Sequence, residues 1–290
     1  GVADSDRLVD IVRMKNSGGP GIVPVSYPDY LEIRRRATTF DGVYAYQLEL
    51  PPASFRVEET GAVRVFPGVV TTNYFQVLGV TAAAWRMFGP GDSEEAGASP
   101  IAVLSDRFWQ RRFNRDPRVI GRTVYLNGHP LTIVGVPREG FLGMTVVAPD
   151  VWIPTSMVAV SNPEGGARLL TTRGPDWLML GARLKPGVSR TQASAEMAAI
   201  GAALQREFPV SYDFLPPGLG PADLSFVWSA ERSSAIPSGL RVIVAGFLAL
   251  LMSIVSVVLI IACANLAGVL LARGVVRRRE VAVRSAIGAG

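Results

Sequence analysis

The chain has 290 residues, 49% of them hydrophobic, which excludes a disordered polar segment. A single His and a single Cys supply no ligand set for a zinc centre and no internal disulfide. The net charge of +5 is not a property of the body: residues 1–240 carry 23 basic and 23 acidic side chains, and the charged side chains beyond are six Arg and Glu280.

In chain order, Leu8 to Val12 reads as a strand. Ser26 is placed to cap a helix from about Pro28 to Ala37, with Tyr30 and Ile33 on its inner face. A strand is predicted near Gly42 to Gln47, another over Val63 to Val70, and a short helix over Asn73 to Leu78 that Gly79 ends. Residues 89–100 read as a loop in which Glu94 and Glu95 are solvated. Leu104 to Phe113 reads as a helix with Phe108, Trp109 and Phe113 on its apolar side. Asn127-Gly128 predicts a hairpin between Thr123–Leu126 and Pro130–Val136, since this dipeptide accepts the positive φ angles of a type I′ turn. Trp177 to Leu184 predicts a strand, Ser189 caps a long helix to about Phe208, and Leu224 to Trp228 predicts a last strand. Strand, helix, strand at each end with β-rich sequence between gives an α+β domain interrupted by an inserted subdomain.

The run from Val242 to Ala272 has 31 residues without one charge, bracketed by Arg241 and Arg273. About 20 apolar residues suffice to cross a bilayer, and as a helix this run would reach about 46 Å. It is read as a transmembrane helix. Arg273, Arg277, Arg278, Arg279 and Arg284 follow it, so that end is cytoplasmic and the neutral domain faces outward. A basic tail can also mark nucleic-acid or anionic-lipid binding; beside so long a span no nucleic-acid partner is expected, and membrane lipid is. Gly1 opens into polar sequence with no leader, so the chain is read as a fragment exported by something upstream.

Few residues promise chemistry. Neither Lys15 nor Lys185 belongs to a P-loop, and the Gly18-Gly19-Pro20-Gly21 stretch has no adjacent Lys. His129 reads as a solvated loop residue, and Ser105-Asp106 as a helix cap without a partner base. Within the span, Asn265 is costly to expose to lipid. It is read either as an interhelical hydrogen-bonding residue, with Ala262, Ala264 and Gly268 permitting close approach, or as a substrate or gating contact. Ser253 and Ser256 are expected to be satisfied by their own helix. Arg277 to Ile287 could form a short amphipathic helix, with Glu280 and Arg284 spaced i,i+4. It serves either as a lipid-phosphate anchor or as a docking element.

A family resemblance runs through these motifs. Asn73-Tyr-Phe-Gln-Val-Leu-Gly79, Val103-Leu-Ser105 with Phe108-Trp109, Val119-Ile-Gly-Arg122, Leu126-Asn-Gly128, Ile133-Val-Gly-Val136, Asp150-Val-Trp-Ile-Pro154 and Arg183-Leu-Lys-Pro-Gly187 resemble, in this order, the MacB-type periplasmic core domain. Ala264-Asn265, Leu271-Ala-Arg273 and Arg277 through Gly288-Ala289 resemble the start of an FtsX-like permease segment. The resemblance implies a porter-like α/β subdomain with an inserted β-rich subdomain. Residues 1–236 would be the core domain, with the insertion at roughly 85–165. Residues 237–273 would be stalk and transmembrane helix, and residues 274–290 a cytoplasmic coupling segment. It implies the permease subunit of an ABC-type transporter in the bacterial inner membrane, not itself an enzyme and with no cofactor of its own. ATP and Mg²⁺ would sit on a separate cytoplasmic P-loop ATPase. The implied partners are that ATPase, a second permease copy or fused half, and, for efflux, a periplasmic adaptor and an outer-membrane channel. Arg277, Arg278, Arg279, Glu280 and Arg284 would be the ATPase contacts. The implied task is efflux or extraction of a hydrophobic compound, peptide or lipoprotein; the alternative is a non-transporting subunit that mechanically activates an envelope partner such as a cell-wall hydrolase. One departure stands out. The family usually has a Gly-Arg pair where this chain reads Trp85-Arg86, and Trp there would be hard to place if the backbone needs φ > 0.

Overall fold

Twelve strands join into one mixed sheet in the computed structural model, which describes residues 2, 4–15, 23–57, 61–145, 147–209, 226–233, 238–286 and 288. The strands are β1 (Leu8–Lys15), β2 (Phe40–Gln47), β3 (Ala53–Arg56), β4 (Val63–Val65), β5 (Pro67–Val70), β6 (Ala82–Trp85), β7 (Ile101–Leu104), β8 (Thr123–Leu126), β9 (His129–Pro137), β10 (Val151–Pro154), β11 (Leu178–Leu184) and β12 (Phe226–Arg232). Their spatial order is β12-β1-β11-β2-β5-β10-β7-β9-β8-β3-β4, with β6 beside β9. The helices are α1 (Tyr27–Arg36), α2 (Tyr74–Leu78), α3 (Asp106–Phe113), α4 (Val158–Ser161), α5 (Arg168–Thr171), α6 (Arg190–Glu207) and α7 (Ser238–Ala286). The chain divides into two compact units, Gly1–Ser238 and Gly239–Gly290. This is the α+β domain with one long apolar helix that the sequence predicts.

Alternation along the strands assigns side chains to two faces. On β2, Val43 and Ala45 join one buried cluster while Tyr44 and Tyr46 join the other. On β10, Val151 and Ile153 go one way and Trp152 the opposite way. The first face is covered by Tyr30 and Ile33 of α1 and by Ala193, Met197, Ile200 and Leu204 of α6. The second is covered by Tyr74, Phe75 and Leu78 of α2, whose rings pack edge-on against Tyr44 and Trp152. Over the central strands β2, β7, β10 and β11 both faces are therefore dry, whereas β3 and β8 bury one face only.

Local signals explain where the helices start and stop. Ser26 accepts a hydrogen bond from the Asp29 amide at the head of α1. Ser189 and Gln192 form a capping box on α6. Gly79 ends α2 at φ 66°. In the hairpin, Asn127 and Gly128 have φ of 48° and 83°, and the Asn127 side chain accepts from the Ser54 amide and donates to the Val160 carbonyl.

Three sequence-based expectations need correction. Leu104 does not open a helix: it closes β7, and α3 begins after Ser105, whose hydroxyl accepts from the Phe108 amide. The expected strand Val63–Val70 breaks at Phe66 into β4 and β5, because Asp150 captures both the amide and the carbonyl of Phe66. Glu94 is not solvated. It accepts two hydrogen bonds from Arg34, at 2.7 and 2.9 Å, and one from the Thr72 hydroxyl, and its side chain is only 26% exposed. Burial pushes the Glu94 carboxyl up, but hydrogen bonds and charge from Arg34 outweigh it and hold the group below its ordinary range. The Gly18-to-Gly21 stretch, Leu224 and Ser225 lie outside the described residues.

Trp85 does sit at positive φ, 54°, and its side chain is 69% exposed. The chain therefore keeps the left-handed turn and places the most awkward kind of residue in it, a bulky aromatic that gains little burial there. The turn is held from both sides. Arg86 forms a two-pronged ion pair with Asp92, both contacts at 2.8 Å. Opposite, the Gly135 backbone lies so close that an added Cβ would stand 1.9 Å from the Arg86 carbonyl oxygen.

Candidate functional site on the long helix

α7 is 49 residues long, about 73 Å at 1.5 Å per residue. Within it Ala245–Gly274, 30 residues whose most apolar 18-residue stretch has mean hydropathy 2.9, is exposed throughout. A helix that presents Phe247, Leu251, Ile254, Leu259 and Leu271 around its whole circumference fits a hydrocarbon solvent, not water. Its backbone polar groups are satisfied internally. The hydroxyls of Ser253 and Ser256 donate to the carbonyls of Leu250 and Met252, at 2.7 and 2.8 Å, as expected for serines in lipid.

Ala262, Asn265 and Gly268 recur at three-residue steps along one flank of α7, and all three are exposed. Nothing lies within 4 Å of a Cβ built on Gly268, so another helix could approach closely there. The Asn265 amide is exposed within the apolar span, where a polar group without a partner is costly. Beyond the span α7 continues unbroken to Ala286. The expected short helix from Arg277 is therefore no separate element but the end of the same rod, and Ile287 lies outside the described residues. Gly274, the nearest candidate stop, stays helical. Arg277, Glu280 and Arg284 fall at steps of three and four along the helical backbone. Arg277, Arg278 and Arg284 are exposed.

In the N-terminal unit the candidate catalytic side chains serve structure or face solvent. His129 opens β9 and is exposed. Asp106 receives Arg115 at 2.9 Å, so Ser105-Asp106 forms no nucleophile and base. Among the described residues, no three His, Cys, Asp or Glu side chains gather as a metal site. The residue that sequence reasoning used only as a motif is Asp150. Its carboxylate accepts from the Phe66 amide (3.1 Å) and from Arg111 (2.7 Å), and its own carbonyl accepts from the Ser105 amide (2.8 Å). One residue, through its carboxylate and its backbone carbonyl, thus ties the β4–β5 junction to α3. Its spacing from those partners, 39 and 84 residues, is why no local pattern announces it.

The family model of the MacB-like periplasmic core domain matches residues 1–200. The chain belongs to that family. Among curated relatives, a macrolide export ATP-binding/permease protein, MacB 2 of Aeromonas hydrophila, is 28% identical over 229 residues, 76% of this chain and 30% of its own length. The chain thus spans under a third of that relative. Solved structures show the same fold. A domain of a permease protein from Porphyromonas gingivalis matches with TM-score 0.57 at 15% identity, over 82% of this chain and 95% of that one. The periplasmic region of MacB from Actinobacillus actinomycetemcomitans matches with TM-score 0.51 at 14% identity, over 70% and 85%. The extracellular domain of the ABC-type transporter YknZ from Gram-positive bacteria reaches 0.50 at 14%, over 70% and 96%. A MacB-like periplasmic domain followed by a span of this length makes the protein an inner-membrane one. Its N-terminal domain is extracytoplasmic and its arginine-rich end cytoplasmic.

Proposed function

We propose that this MacB-like chain is part of the permease subunit of an ABC-type transporter. In this reading α7 carries ATP-driven motion from the cytoplasm to the exported domain, for efflux or extraction of a hydrophobic compound, peptide or lipoprotein. One observation carries the reading: the apolar span and the Arg277–Arg284 segment are one continuous helix on the same chain as a MacB-like domain. An anchor needs about 20 residues; a 49-residue rod is long enough to span the bilayer and still transmit displacement at its end.

In this assignment residues 1–236 are the working domain, with an insertion at roughly 85–165, and residues 274–290 are the coupling segment. Arg277, Arg278, Arg279, Glu280 and Arg284 would meet a P-loop ATPase that holds ATP and Mg²⁺. Asn265, Ala262 and Gly268 would pack against another helix of the bundle or a second copy. The Aeromonas relative's name joins ATP-binding and permease in one polypeptide, whereas the separate ATPase proposed here lies on its own chain. The test is reconstitution of the full-length protein with the cellular P-loop ATPase that co-purifies with it. The expected result is ATP turnover stimulated several-fold and reduced toward basal by Arg277→Ala with Arg284→Ala. Failure to bind or stimulate any such subunit overturns the reading. Stimulated turnover with cell-wall hydrolase activation and no cargo movement would instead place the chain among mechanical activators.

A further inference from the structure

We infer that the extracytoplasmic unit carries a binding pocket for an anionic amphiphile, a carboxylate or phosphate on an apolar body. The pocket, about 290 Å³, lies where the β4–β5 junction, the head of α3 and the 141–150 loop meet. That is the small end of ordinary ligand sites. Arg64, Arg107 and Arg111 all line it, against one carboxylate, Asp150. Asp150 is already engaged, by Arg111 and by the Phe66 amide. Arg64 and Arg107 have no carboxylate partner among the described residues, and both are exposed. Arg64 lies over the Phe66 ring, 5.4 Å from its centroid, which fixes its stem and leaves the guanidinium N–H groups free to donate.

The remaining wall is apolar. Phe141 forms the floor, buried against Phe75 and Trp152 at ring separations of 5.9 and 5.5 Å. Leu142 is 48% exposed on the rim. Gly140 and Gly143, both at φ 85°, turn the chain on either side of these two residues, so one goes down into the core and the next points outward. Two uncommitted guanidinium groups beside an exposed leucine and a phenylalanine floor, in a domain whose overall charge is zero, match a ligand with both a negative head and an apolar body. A small inorganic anion would leave Leu142 in water; a neutral lipid would leave Arg64 and Arg107 unpaired. An anionic amphiphile satisfies both.

The inference rests on the N-terminal unit alone and needs no ATPase, so it stands or falls separately from the permease reading. The test uses the full chain in nanodiscs of neutral phosphatidylcholine. Octanoate with a terminal diazirine is photolysed, and the labelled peptides are mapped by mass spectrometry. Label is expected on the 141–150 segment or Phe66. It should fall at least tenfold in the Arg64→Ala/Arg107→Ala double variant and stay unchanged in Arg118→Ala, whose guanidinium pairs with Asp116 away from the pocket. The double variant should unfold within about 2 °C of the parent, because neither arginine has an ion-pair partner to lose. Unlabelled octanoate and octyl phosphate separate the two head groups, and competition by either supports the proposal. Equal labelling by the matching octanol, full label in the double variant, label confined to 245–274, or competition by inorganic phosphate as strong as by octyl phosphate would each overturn it.

Discussion

The two units of this chain solve burial in opposite ways. In the N-terminal unit, Tyr44, Tyr74 and Trp152 are removed from solvent by other parts of the same chain, and ion pairs such as Arg34–Glu94 join residues 60 apart. In α7 nothing between Ala245 and Gly274 is buried by the chain at all. The first unit carries its stabilising contacts within itself. The second has none of them within the chain and is suited to take them from lipid. A substitution should therefore report on folding in one unit and on assembly in the other.

Four measurements would sharpen or break that contrast. The largest effect is expected from Gly135→Ala, whose new methyl would meet the Arg86 carbonyl oxygen at 1.9 Å. Overpacking against backbone should cost about 3 kcal/mol, a fall in Tm of roughly 6–12 °C by calorimetry; an unchanged Tm would show that the β6–β9 contact is loose. Next, Glu94→Gln should cost about 1–2 kcal/mol, since it leaves Arg34 half-buried with a neutral partner. Because the Glu94 carboxyl is held below its ordinary value of 4.5, its stabilisation is complete above that pH and is lost as the pH falls through the lowered value. Denaturant titrations of parent and variant should accordingly converge as the pH falls below 4.5 and through the lowered value. Trp85→Gly should stabilise the domain by about 1 kcal/mol through relief of the left-handed backbone. A loss instead would mean that the exposed indole makes stabilising contacts of its own. Smallest is Asn265→Leu: Tm of the N-terminal unit should not move, while self-association of the full chain in bilayers, read by fluorescence transfer, should weaken roughly threefold, about 0.6 kcal/mol.

Much of the fold is legible where local chemistry decides it. Ser26, Ser189 and Gly79 announce helix ends, Asn127-Gly128 announces the hairpin, and the charge-free run announces α7. Strands β3, β6, β7 and β10 are not predicted as elements, because four residues give too little alternation to show a period. Burial on both faces also turns Ile101–Leu104 and Val151–Pro154 into plain apolar runs that could open a helix as easily. The polar clusters are the least legible. Glu94 in an acidic loop looks solvated until α1 brings Arg34 beside it, and the pocket arginines belong to segments that sequence order keeps more than forty residues apart. The Trp85 position is the reverse case. The sequence raises the question of positive φ there, and the backbone at 54° answers it.

The position of β1 has a consequence in time. Its residues pair on one side with β11, Val9 opposite Ala182, and on the other with β12, Val9 opposite Arg232. Val9 in β1 thus waits for partners more than 170 and 220 residues downstream before either edge of the strand is closed. Loop closure over such separations makes folding slow, and until then β1 offers two open hydrogen-bonding edges rich in Val and Ile to any passing chain. The domain cannot finish on the outer side of the membrane until residue 232 has been translocated. A holdase that recognises extended apolar strands is the expected companion of its biogenesis, and truncation anywhere before β12 should yield aggregation, not a smaller fold.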